Sequence, residues 1–152
     1  MKSLVAGLFA FVAAAAALPA ANVSFLVIDA GESRDAAAGR LAAAWENGLL
    51  EFFFESGRIV STAPMMRLDE APGPGLPPEA ERDLEDARIG GMDYFLIAVV
   101  DRRSRDVSLR LFRVSSGGQI AERANAGDPE RCAREEGENI RRAAGEMAAL
   151  LR

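Results

Sequence analysis

Three carboxylates, Asp29, Glu32 and Asp35, fall within seven residues just after a run of apolar and β-branched side chains. Acids so spaced can share a proton, orient a water or hold a hard cation through oxygen, the chemistry of a carboxylate-dependent or metal-assisted hydrolase. They also suit the capping and solvation of a helix start. They form no EF-hand loop, because no glycine-centred series of alternating ligands closes on a glutamate. Asp69 and Glu70 carry the same two readings. A second group is basic: Arg102, Arg103 and Arg105 stand between Asp101 and Asp106. Guanidinium forks match carboxylate or phosphate, so these three are candidates for contact with an acidic partner surface or an anionic envelope polymer. Their plainer role is a solvated turn that discourages edge pairing. Cys132, the one cysteine, follows Asp128-Pro129-Glu130-Arg131. A helix start can depress a thiol pKa while the surrounding acids oppose a thiolate. A structural thiol, an intermolecular disulfide and a redox role all stay open.

What the sequence lacks narrows the chemistry further. There is no histidine, and the only lysine is Lys2. Serine and cysteine hydrolases need a neighbouring base, Schiff-base chemistry needs a lysine, and most zinc or non-haem iron sites need imidazole or several thiolates. Carboxylate chemistry and hard-cation sites are what remain, and neither a cofactor nor a metal is implied. The net charge of −5 is scattered, with no basic tract, which argues against nucleic acid as a partner.

The elements that must position these residues follow from hydrophobic period. Met1-Lys2-Ser3 and the apolar run Leu4 to Leu18 read as a signal peptide cut after Ala20 or Ala21, the run being shorter than the roughly 20 residues that span a bilayer. No cysteine stands at the cut, so the expected product is periplasmic or secreted, unlipidated and without a stable membrane anchor. Residues 22–152 are expected to form a single α/β domain.

Val23 to Ile28 reads as a first strand, ended by Asp29-Ala30-Gly31. Ser33 or Asp35 can cap a helix whose apolar positions Leu41, Trp45, Leu49 and Phe52 recur every three or four residues. Phe52-Phe53-Phe54 is wider than one face needs, either a broad buried stripe or an exposed aromatic for a partner. Gly57 ends this helix and Arg58 to Ala63 reads as a second strand. Pro72-Gly73-Pro74-Gly75 makes Asp69 to Pro78 a loop, passive or a contact surface in which Pro72 and Pro74 would take part. Glu79 to Ile89 is a second helix, stopped by Gly90-Gly91.

The best-defined stretch comes next. Tyr94 to Val100, Val107 to Val114 and Gln119 to Ala124 are three strands of an antiparallel meander, with the arginines at its first hairpin tip. A third helix runs from about Glu130 to Leu151, with Cys132, Ala133, Gly137, Ile140, Ala144, Met147 and Leu151 on one line. The fold class is α/β, at the α+β boundary: a mixed sheet of about five strands in the order β-α-β-α-β-β-β-α, helices packed on it.

That order, with Gly90-Gly91-Met92-Asp93-Tyr94-Phe95-Leu96-Ile97 entering the third strand and Leu109-Arg110-Leu111-Phe112-Arg113-Val114-Ser115-Ser116-Gly117-Gly118-Gln119-Ile120 forming the next hairpin, resembles a known group. It is similar to the small α/β domains of bacterial envelope proteins typified by the penicillin-binding-protein activator LpoB, the curli secretion protein CsgG and the N-terminal domain of TolB. The resemblance implies a non-enzymatic cell-envelope accessory that regulates or scaffolds peptidoglycan synthesis or a secretion machine by binding another protein. It carries over no catalytic residue. A hydrolase using Asp29, Glu32 or Asp35 is the alternative. A structural subunit that self-associates through the meander edge or the small-residue face of the last helix is the third reading.

Overall fold

Side chains alternate across a strand, so a strand that is apolar at every position must be covered on both faces. The apolar stretches Phe25 to Ile28 and Tyr94 to Val100 meet that condition, and the strands that carry them, Val23–Ala30 and Tyr94–Asp101, form the centre of the sheet accordingly. The structure, a computed structural model, describes residues 20–32, 36–124, 126 and 133–151. The expected signal peptide, the Ser33 and Asp35 caps and Cys132 lie outside these residues. In chain order the elements are β1 (Val23–Ala30), α1 (Ala36–Glu55), β2 (Val60–Thr62), β3 (Met66–Leu68), α2 (Pro78–Ile89), β4 (Tyr94–Asp101), β5 (Val107–Arg113), β6 (Gly118–Arg123) and α3 (Ala133–Ala148). No helix among the described residues is long and apolar enough to cross a membrane.

The sheet is mixed, in the order β2-β1-β4-β5-β6, with β3 also paired to β1. β2, β3 and β4 run parallel to β1, whereas β4, β5 and β6 form the antiparallel meander. Six strands stand where five are expected. The segment expected as one strand, Arg58 to Ala63, pairs only over Val60–Thr62. Pro64 has no N–H to continue the ladder, and the chain rejoins the same neighbour as β3 one register further on, where Ile28 faces Met66.

Each face of the sheet buries its own core. Phe25, Val27, Leu96, Ala98, Leu109 and Leu111 point towards α1 and α3, where they meet Trp45, Leu49, Phe53, Ile140 and Met147. Leu26, Ile28, Phe95, Ile97 and Phe112 point the other way and are roofed by Ala80, Leu84 and Ala87 of α2. α1 and α3 meet where a glycine lets them close: a Cβ on Gly48 would lie 2.7 Å from Ile140 Cγ2. The same seam carries a buried hydrogen bond from Trp45 Nε1 to Glu136 Oε1, 2.7 Å long. Arg141 joins Glu51 and Glu55 across its exposed side. Of the line of small residues in α3, Ala144 is buried and Gly137 faces open space, so the close approach is made by Gly48. The three phenylalanines divide: Phe53 is in the core, Phe52 packs near Gly145, and Phe54 is 74% exposed.

Candidate functional site

The carboxyl ends of β1, β3 and β4 lie together because all three run parallel, and this is the end of an open α/β sheet where ligands commonly sit. Three features that are separate in the sequence meet there. β1 carries Asp29 one residue before its end, β3 leads into Asp69 and the Pro/Gly loop, and β4 leads into the arginine tip. They line a cleft of about 480 Å³ with Asp29, Gly31, Glu32, Arg67, Leu68, Asp69 and Arg102 in its walls.

Backbone chemistry fixes this geometry. Gly31 turns the chain away from β1 with φ +83°, a left-handed conformation that favours glycine, and its N–H donates to Leu68 O at 2.9 Å. Arg102 N–H donates to Ala30 O at 2.9 Å, tying the hairpin tip to the end of β1. The tip is ordered from within: Asp101 Oδ1 accepts from Arg103 N–H at 2.8 Å, and Ser104 Oγ accepts from Asp106 N–H at 3.2 Å. Arg105 takes φ +56° to close the turn.

The side chains then separate into committed and free groups. The Asp29 side chain is 2% exposed, and each of its oxygens accepts from the Arg102 guanidinium, one from Nε and one from Nη2. That hydrogen bonding, beyond the attraction of the charges, holds Arg102 protonated past its ordinary range against the opposing cost of burial. Arg67 Nε lies 3.9 Å from the same carboxylate, but its side chain is 80% exposed. Glu32, Asp69 and Arg103 are exposed at the mouth. Asp29 is therefore a structural half of an ion pair. The rim presents cations and acids that are open to solvent.

The Pro/Gly loop is held down from a distance. Arg110, on β5 and 9% exposed, donates through Nη1 to Gly73 O at 2.9 Å and Gly75 O at 3.4 Å, and its Nε lies 3.6 Å from Glu122. Pro72 is half-buried and Pro74 exposed.

Of the residues singled out from the sequence, Asp29, Glu32, Asp69 and Arg102 are brought together, with Arg103 beside them. Arg105, Pro72 and Pro74 do not line the cleft, and Asp35 lies outside the described residues. The arginine tip is not uniformly exposed as its hairpin position suggests: Arg102 turns inward because a buried carboxylate at the end of β1 requires a counter-charge. Sequence reasoning missed Arg67, whose three-residue strand is too short to show alternation. It also missed Arg110, although a charge set between Leu109 and Leu111 in the run Val107 to Val114 signals a buried partner. Among the described residues no three acids, cysteines or histidines converge as metal ligands.

No protein-family model matches the chain, and no curated protein matches it. Several solved structures are similar to it. The PelC dodecamer from Paraburkholderia phytofirmans aligns at 18% identity and TM-score 0.44 over 89% of this chain and 91% of that one. TolB from Acinetobacter baumannii aligns at 14% identity and TM-score 0.45, over 86% of this chain and 29% of TolB. The LpoB C-terminal domain from Salmonella enterica aligns at 16% identity and TM-score 0.34, over 72% of this chain and 84% of the domain. LpoB and TolB are thus both among the structures this chain is similar to. Likeness at these levels carries nothing about ligand or partner, for which the cleft and its rim are the source.

Proposed function

We propose that residues 22–152 form an exported, non-enzymatic protein-binding module that regulates or scaffolds a cell-envelope assembly, and that its partner meets the carboxyl end of the sheet. One observation carries the reading: both oxygens of Asp29, the acid buried at the cleft, accept hydrogen bonds from Arg102. A general base or nucleophile needs a carboxylate free to take a proton or attack, and this one is spent on holding the tip in place. The alternative, a hydrolase built on Asp29, Glu32 or Asp35, loses its only buried acid among the described residues of that cluster. The cations at the mouth are open, and Arg67 and Arg103 flank the Pro/Gly loop and the tip. Outward guanidinium groups on a rigid rim suit an acidic segment of a partner, contacted bidentately and weakened by salt.

The reading is tested by affinity capture from a native periplasmic extract with the unmodified protein and with Arg67, Arg103 and Arg105 each replaced by serine. Arg102 is left in place because it holds the fold. A partner retained by the unmodified protein and lost from the triple variant, at unchanged melting temperature, is the expected result. Equal retention by both proteins removes this surface from the account, and hydrolytic turnover lost on Asp29→Asn replaces the module with an enzyme.

A further inference from the structure

Topology sends all three helices to one end of the sheet. α1 and α2 each return the chain to the start of a strand parallel to β1, so both end where β1 and β4 begin. α3 runs beside α1 in the same direction, since Trp45 meets Glu136, Gly48 meets Ile140 and Phe52 meets Gly145, and it ends there too. Of the six large apolar side chains exposed on the described residues, four are at this amino end: Phe54 (74%), Ile59 (63%), Ile89 (77%) and Leu150 (46%). None is at the carboxyl end, where the charged cleft lies.

Two further observations point to what covers this end. Arg58 stands between Phe54 and Ile59 in the chain, its Nε is buried without a hydrogen-bond partner, and its side chain joins no ion pair among the described residues. Glu55, the acid nearest to it in sequence, is held by Arg141. A buried N–H without an acceptor is costly, and a guanidinium among exposed apolar side chains gains one from an anion at a water–apolar boundary. The chain also enters the domain here. Val23 N–H donates to Ile59 O at 2.9 Å, so the residues that follow the apolar run Leu4 to Leu18 join β1 beside Ile59. On the export reading above, on which this step rests, that run enters a bilayer during export and brings the amino end to the lipid.

We infer that the amino end of the sheet docks on an anionic phospholipid bilayer, with Phe54, Ile59, Ile89 and Leu150 entering the acyl boundary and Arg58 taking a lipid phosphate. A second copy of this chain fits less well. The four side chains come from the layers on both sides of the sheet and from the sheet itself, whereas a stable protein interface needs close complementarity over roughly 800 Å² a side. A fluid surface makes no such demand. Docking there leaves the carboxyl end, at the far ends of β1 and β4, turned away from the membrane and open to a partner.

The test is cosedimentation of the protein, purified from cells expressing the whole chain, with vesicles of equal parts phosphatidylglycerol and phosphatidylcholine and with vesicles of phosphatidylcholine alone. Binding to the mixed vesicles is expected, weakened about tenfold or more in the double variant Phe54→Ser/Ile59→Ser and about fivefold in Arg58→Gln. Arg40→Gln, an exposed arginine near the start of α1 at the opposite end, should bind as the unmodified protein does. Emission from Phe54→Trp should move to the blue on the vesicles, against a constant background from the fully buried Trp45. The intact mass of the purified chain reads leader removal separately, and a retained leader strengthens every variant by the same factor. No binding to either vesicle, equal binding by the double variant, or an unshifted Phe54→Trp emission overturns the inference. So does a concentration-dependent dimer, formed without vesicles, that the double variant abolishes.

Discussion

Asp29 and Arg102 carry opposite charges but are unequally buried, at 2% and 20% side-chain exposure, so removing one is not equivalent to removing the other. Arg102→Met strands a buried carboxylate, with only the distant Arg67 Nε to face it, and should cost about 3 kcal/mol. Asp29→Asn keeps the shape and lets Arg102 turn to water, and should cost about 1 kcal/mol. Urea denaturation of the two variants checks the order of the losses. Asp83 gives a prediction in pH. Its folded pKa is raised above 3.8, so the folded chain binds that proton more tightly than the unfolded chain. Its contribution is then fully present below pH 3.8 and is lost as pH rises through the folded value. Asp83→Asn should therefore raise the melting temperature at pH 7, with the gain shrinking as pH falls towards 3.8. A gain that is the same at both pH values would mean that the carboxyl is unstrained. At this scale the sequence was partly legible: Asp29, Glu32 and the arginine tip could be named as charged clusters. Which arginine turns inward could not, because that depends on β4 ending beside β1, a contact across 73 residues.

At the scale of elements, the positions of the strands and helices were largely legible because burial on two faces leaves continuous apolar runs at Phe25 to Ile28 and Tyr94 to Val100. The exception, the division of one expected strand into β2 and β3, comes from a single proline whose effect depends on a neighbour being present to pair with. Helix packing was less legible. Small residues of α3 such as Ala144 are buried against the core, but the glycine that sets the approach of the two helices, Gly48, is in α1. A matched pair of substitutions tests this. Gly48→Ala gains up to about 1 kcal/mol of helix propensity but drives a Cβ to 2.7 Å from Ile140 Cγ2, and overpacking of this kind should leave it about 1–3 kcal/mol less stable. Gly145→Ala meets the Phe52 ring at 3.8 Å, ordinary contact, and should keep most of its propensity gain of about 1 kcal/mol. Thermal melts of opposite sign support the packing described. Equal gains would mean that α1 and α3 do not meet at Gly48.

Across the whole molecule, topology turns scattered residues into surfaces. Parallel pairing of β1, β3 and β4 gathers one end of the sheet into a charged cleft, and Arg110 on β5 pins the Pro/Gly loop near it. Neither convergence can be read along the chain, since the pairing of β1 with β4 that creates the cleft joins residues about seventy positions apart. Phe54 and Ile59, at 74% and 63% exposure, mark a second uncovered region, near the β2 edge and away from the charged end, so the location of partner contact discriminates between surfaces. The most direct measurement is hydrogen–deuterium exchange of the protein with and without its captured partner. Protection concentrated in residues 67–76 and 101–106 is the predicted result. Protection confined to residues 50–62, with the carboxyl-end loops exchanging as in the free protein, would contradict it.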